Sequence, residues 1–131
     1  MNSKRFLMVL TSLLVTVTLW AQNGIDRMVE QHSSVGKSTF TTAVQRNPKT
    51  SKVEKVVKRL EVNATQAGKF VNAFRREAKR HDKSTTQNGR DGLTIVFVEE
   101  NSKSNRIYML KSDGKPVPNR AVITIIVRPK D

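Results

Sequence analysis

Hydrophobic and polar positions change their period several times along this chain, and each change marks an element. An apolar stretch from Phe6 to Trp20 comes first. Ile25, Met28, Val29 and His32 then fall at i, i+3, i+4 and i+7, which is one face of a helix. Asn23-Gly24 before it and Ser33, Ser34 and Gly36 after it supply start and stop signals. From Ser38 to Arg46 the period drops to two. Phe40, Thr42 and Val44 point one way and Thr39, Thr41 and Ala43 the other, in a composition that suits a pleated sheet. Asn47-Pro48-Lys49-Thr50 reads as a turn, because Pro presets φ and Asn bonds to its own backbone. Lys52 to Val62 supports two readings. Val53, Val56, Val57 and Leu60 match a helix, and Ser51 with Glu54 could form a capping box. Val56, Lys58, Leu60 and Val62 alternate as a strand. The strand is preferred, since a tight turn joins it to the strand before as a hairpin.

Asn63 opens a second, longer helix, with Gln66 placed as in a capping box. Ala67, Phe70, Val71, Phe74 and Ala78 form its apolar stripe, and it ends between Arg80 and Asp82. Lys83 to Gly92 reads as a polar loop carrying Asn88-Gly89 and Asp91-Gly92. Three alternating runs follow, Leu93 to Glu100, Arg106 to Ser112 and Val122 to Arg128, joined by turns at Asn101 to Asn105 and at Asp113-Gly114-Lys115-Pro116. The order α-β-β-α-β-β-β predicts an α+β domain with two helices and an antiparallel sheet of about five strands. Both faces of the last three strands are partly apolar, where a one-sided sheet would turn a polar face to water. The second face is therefore expected to lie under the first hairpin or under another copy of the chain.

The first apolar stretch differs from the rest. Lys4 and Arg5 precede it, Ala21-Gln22 follows, and its length is about 15 residues. That is short of the roughly 20 a spanning helix needs, so it reads as a secretory signal peptide cut after Ala21 rather than as an anchor. The chain then divides into a signal, residues 1–21, and one domain, residues 22–131. Leu19 stands where a small residue is preferred, which leaves the exact bond open. No cysteine is present, which excludes a lipoprotein anchor, disulfides, thiolate metal sites and a nucleophilic thiol. No later run is apolar enough to span a membrane.

Charge adds a class of partner. The chain holds 24 Lys and Arg against 11 Asp and Glu; without Lys4 and Arg5 the excess is +11. Such a field attracts polyanions, or simply keeps an exported domain soluble. The densest cationic stretch is Arg75, Arg76, Lys79, Arg80 and Lys83; Lys52, Lys55, Lys58 and Arg59 form a second. Nucleic-acid binding pairs such patches with exposed aromatics, whereas Phe40, Phe70, Phe74, Phe97 and Tyr108 mostly occupy core positions, so nucleic acid is disfavoured.

Motifs for catalysis are weak. Gly36-Lys37-Ser38-Thr39 resembles the end of a phosphate-binding loop, but Gln31 replaces the first glycine and the element order is wrong. His32 and His81 are the only histidines and have no partner on a helical turn, so no metal site is expected. Glu99-Glu100 and Asp91 could supply paired acids, but with cations in twofold excess they read as paired or solvated. Asn63-Ala64-Thr65 fits a glycosylation acceptor, and Asn63 is already explained as a cap.

Trp20-Ala21-Gln22, the segment from Ile25 through Ser38-Thr39-Phe40, the Asn47-Pro48-Lys49-Thr50 turn and Val56-Val57-Lys58-Arg59-Leu60-Glu61-Val62 together resemble small secreted proteins of gut Bacteroidales grouped as a domain of unknown function. The resemblance implies a Gram-negative setting, periplasmic or extracellular, and transfers no activity, cofactor or site residue. The function expected is a non-enzymatic binding domain whose partner is a protein or an anionic glycan or lipid surface. Arg75, Arg76, Lys79 and Arg80 are the residues expected to meet an anion. Two alternatives stand beside it: a small hydrolase or inhibitor-like module with its site at Lys83–Gly92, and a homo-oligomeric envelope protein joined through the sheet.

Overall fold

The computed structural model describes residues 24–33, 38–90, 92–113 and 118–130. The expected signal, Gly36, Lys37, Asp91 and residues 114–117 lie outside them. Helix α1 (Gly24–Ser33) is followed by strands β1 (Thr39–Arg46) and β2 (Val53–Asn63) and by helix α2 (Ala64–Arg80). Strands β3 (Ser84–Gly89), β4 (Gly92–Glu100), β5 (Ser104–Asp113) and β6 (Arg120–Pro129) complete it. All six strands join one antiparallel sheet in the order β1-β2-β6-β5-β4-β3. The last strand thus enters between the first hairpin and the later meander and binds them together.

Asparagines set the corners. Asn47 Oδ1 accepts from the Lys49 and Thr50 amides at 2.8 and 3.2 Å, and Ser51, at φ 61°, turns the chain into β2. Asn101 Oδ1 does the same for Lys103 and Ser104, both at 2.8 Å. Lys52–Val62 is a strand, as preferred. It runs directly into α2 because Asn63, still extended, accepts from the Thr65 amide at 3.1 Å and caps the helix. Gln66 does not close a capping box. Its side chain reaches His32 Nε2 at 2.9 Å and so joins the two helices.

Two further expectations need correction. The sheet has six strands rather than five, because Ser84–Gly89 is a strand and not a loop. Every residue of β3 is exposed and polar, so no apolar alternation marks it; main-chain pairing to β4 at the sheet edge holds it. The strand runs as far as Gly89, which pairs with Gly92 of the next strand. The second correction concerns the sheet's far face. The first hairpin does not cover it but extends the sheet edgewise beside β6.

The core lies on one side. Leu60 and Val62, Ile95 and Phe97, Tyr108 and Leu110, and Ala121, Ile123 and Ile125 face the helices. Ala67, Phe70, Val71, Ala73, Phe74 and Ala78 of α2 fill the space above them, with Ile25 and Val29 of α1. Full burial of each large side chain contributes about 1.5–3 kcal/mol, so α2 supplies most of the cover. No described helix is long and apolar enough to cross a membrane.

Candidate functional site

Three constellations of charged or polar side chains stand out. The first is the outward side of α2. Its apolar stripe faces the sheet, which forces Arg75, Arg76, Lys79 and Arg80 together on the opposite side, all exposed. Residues three and four apart on a helix are neighbours, so Arg76 lies beside Lys79 and Arg80, and Arg75 beside Lys79. Arg80 lies 3.7 Å from Glu77, while Arg75, Arg76 and Lys79 have no ion pair among the described residues. Lys79 and Arg80 sit in the last turn, where the helix dipole favours cations.

The second constellation is buried. Tyr108 O–H donates to Asp26 Oδ2 at 2.8 Å, and Arg106 Nη1 donates to the same oxygen at 3.3 Å. Arg106 Nε donates to Ser104 Oγ at 3.4 Å. Burial, reinforced by the Asp26 charge, pushes the Tyr108 phenol far above its usual range. Burial also works against the Arg106 charge, but Tyr108, Asp26 and Glu99 outweigh it and the guanidinium is held more firmly protonated. The side chains resemble a catalytic group, yet Tyr108 is 0% exposed and Asp26 is buried beneath α1. Nothing can reach the hydroxyl without lifting that helix, so the cluster fastens α1 to β5.

The third lies on the sheet face away from the helices. A depression of about 610 Å³ opens there, with Arg59, Arg90, Lys111 and Arg120 around it and Met109 and Val122 among its lining. Gly89 and Gly92, paired at the sheet edge, leave its corner without side chains. Gly92 cannot be replaced freely: its φ is 143°, and a Cβ there would fall on the Ser112 carbonyl oxygen. Among the described lining residues Asp113 is the only acid; Arg120 lies 3.7 Å from it and 3.0 Å from Glu61.

The other candidate residues separate. Lys55 and Arg59 share one face of β2 and Lys58 takes the other, so the second cationic stretch is split by the pleat. Glu99 and Glu100 also point to opposite faces. Glu100 lies 3.0 Å from Lys83, which holds its carboxyl below the usual range by hydrogen bond and charge, whereas Glu99 lies 3.8 Å from His81. His81 caps α2, donates from Nδ1 to the Glu77 carbonyl at 2.8 Å, and packs on Phe97 with ring centroids 4.7 Å apart. His32 packs edge-on against Phe70. Among the described residues no three His, Asp or Glu come together as metal ligands.

Sequence reasoning missed two of these groupings. Asp26 and Tyr108 are 82 residues apart, and only the rule that a buried tyrosine needs a hydrogen-bond partner hinted at their contact. Arg59, Lys111 and Arg120 come from three strands and line one depression only once the pairing register is fixed. Comparison with family models, with curated proteins and with solved structures returned no match to this chain.

Proposed function

We propose that this chain is an exported, non-enzymatic binding domain that takes an anionic surface on the outward side of α2. The observation that supports it most is the set Arg75, Arg76, Lys79 and Arg80 on one exposed helix face, with one acid among them. Like charges three and four residues apart destabilise a helix slightly; a bound anion reverses that cost. The leader-like N-terminus and the resemblance to secreted Bacteroidales proteins support a partner outside the cytoplasm, a lipid or glycan bearing phosphate, sulfate or carboxylate groups. The hydrolase alternative needs a carboxylate-lined pocket beside Lys83–Gly92, and the described residues lining the depression there include four cations and a single acid.

Binding to phosphatidylglycerol vesicles and to a sulfated glycan, each at low and high salt, tests the proposal. Each juxtaposed Lys or Arg is worth about 1 kcal/mol at an anionic surface. Arg75→Glu with Arg76→Glu should therefore abolish salt-sensitive binding to whichever partner is bound. Undiminished binding would sink the reading.

A homo-oligomeric reading draws on a different observation, the apolar row on the open sheet face. Val57, Ile126, Ile107 and Val98 are aligned across four strands there. Light scattering at two salt concentrations decides it: a dimer at both would favour that reading.

A further inference from the structure

On the open face, the outward residues of β5 and β6 grade from charged to apolar. The paired rows run Asp113 with Arg120, Lys111 with Val122, Met109 with Thr124, then Ile107 with Ile126. Val57 and Val98 widen the last row to four strands. From Lys111 to Ile107 is four residues of strand, roughly 13 Å, which an alkyl chain of about a dozen carbons spans. At the charged end Arg120 is taken up by Glu61 and Asp113, while Arg59, Arg90 and Lys111 have no ion pair among the described residues.

We infer that this face binds a single-chain anionic amphiphile. Its head group sits in the depression between Arg59 and Lys111, and its chain runs over Met109 to the row of Val57, Ile126, Ile107 and Val98. Arginine forks suit a carboxylate or phosphate head, and each methylene laid on the apolar row adds affinity by leaving water. A purely polar polyanion would leave that row in contact with water. A second copy fits less well: stacking two such faces about a twofold axis sets the Arg59 and Lys111 end of one against Arg128 of the other, basic against basic. Both helices cover the opposite face, and the first hairpin lies in the plane of the sheet, so no described segment competes. This site is separate from the α2 patch and does not depend on it.

Isoleucine methyl NMR of the purified protein with laurate provides the test, because the sheet carries its own control. Ile107 and Ile126 lie on the open face; Ile25, Ile95, Ile123 and Ile125 lie in the core. Laurate should shift the first pair and leave the other four in place. Acetate, a head without a tail, and dodecyl maltoside, a neutral amphiphile, should bind at least tenfold more weakly. Arg59→Glu with Lys111→Glu should weaken laurate at least tenfold, as should the milder Arg59→Gln with Lys111→Gln. Arg75→Glu with Arg76→Glu should leave it unchanged, which separates this site from the α2 reading. Shifts confined to the core methyls, equal binding of maltoside, undiminished binding in both charge variants, or a salt-stable dimer that buries Ile107 would each overturn the inference.

Discussion

The two faces of the sheet are built from the same strands and nearly the same residue types, yet they have opposite fates. On β6, Ile123 and Ile125 are 1% exposed, while Val122 and Ile126, their immediate neighbours in sequence, are only half-buried. On β4, Ile95 and Phe97 are sealed and Val96 and Val98 are not. The difference is supplied from outside the strands. Helix α2 brings Phe70 and Phe74 to one face, and no described element covers the other. Apolar character alone therefore does not say what a strand position is for. The covered face holds the fold together, and the open face holds side chains that cost little to change and so are free to bind.

The largest effect should come from breaking the cover. Phe74→Ala removes a fully buried ring that touches Phe97, with centroids 5.6 Å apart. It should cost about 3–5 kcal/mol in urea unfolding. Ile107→Ala, on the open face, should cost less, about 1–2 kcal/mol, because part of that side chain already meets water. Equal losses would mean that something covers the open face after all.

Next in size is the fastening of α1. Asp26→Ala leaves Arg106 and the Tyr108 hydroxyl buried without their acceptor, a loss of about 3 kcal/mol or more. Chemical denaturation measures it, and a loss below 1 kcal/mol would show that α1 contributes little to the fold. The same cluster gives a pH signature. The folded phenol is held far above its ordinary value, so the proton is bound more tightly in the native state. The stability this represents is complete below about pH 10, the ordinary phenol value, and is lost as pH rises beyond it. Tyr108 is the only tyrosine of the chain. Its absorbance near 295 nm should therefore change only as the protein unfolds, above the ordinary phenol range. A smooth titration near pH 10 with the fold intact would contradict the burial of this hydroxyl.

Much of this architecture was legible in the sequence because the covered face advertises itself. The stripe Ala67, Phe70, Val71, Phe74 and Ala78 located α2 and its buried side, and the four cations opposite followed from the same periodicity. Asn63 announced its cap. What escaped was whatever depended on pairing between distant strands. Ser84–Gly89 has no apolar face to read, since an edge strand is held by its backbone. The alternation of Lys55, Lys58 and Arg59 gave no warning that Arg59 would line one depression with Lys111 and Arg120, because register is fixed by contacts tens of residues away. The Asp26–Tyr108 contact is of the same kind.

The smallest effect is the most diagnostic of purpose. Arg76 precedes Lys79 by three residues and Arg80 by four, two like-charge neighbours on one helix face. Arg76→Glu converts both into favourable pairs of about 0.2–0.5 kcal/mol each, in the better orientation with the acid nearer the N-terminus. Position 76 also lies before the last turn, where the dipole penalty on an acid has faded. The variant should melt a few degrees higher than the parent, since about 1 kcal/mol moves a domain of this size by roughly 4–8 °C. It should also bind an anionic surface more weakly. A surface that a single charge change makes more stable and less adhesive is arranged for contact rather than for folding. A variant that melts lower would instead show Arg76 holding the helix in place.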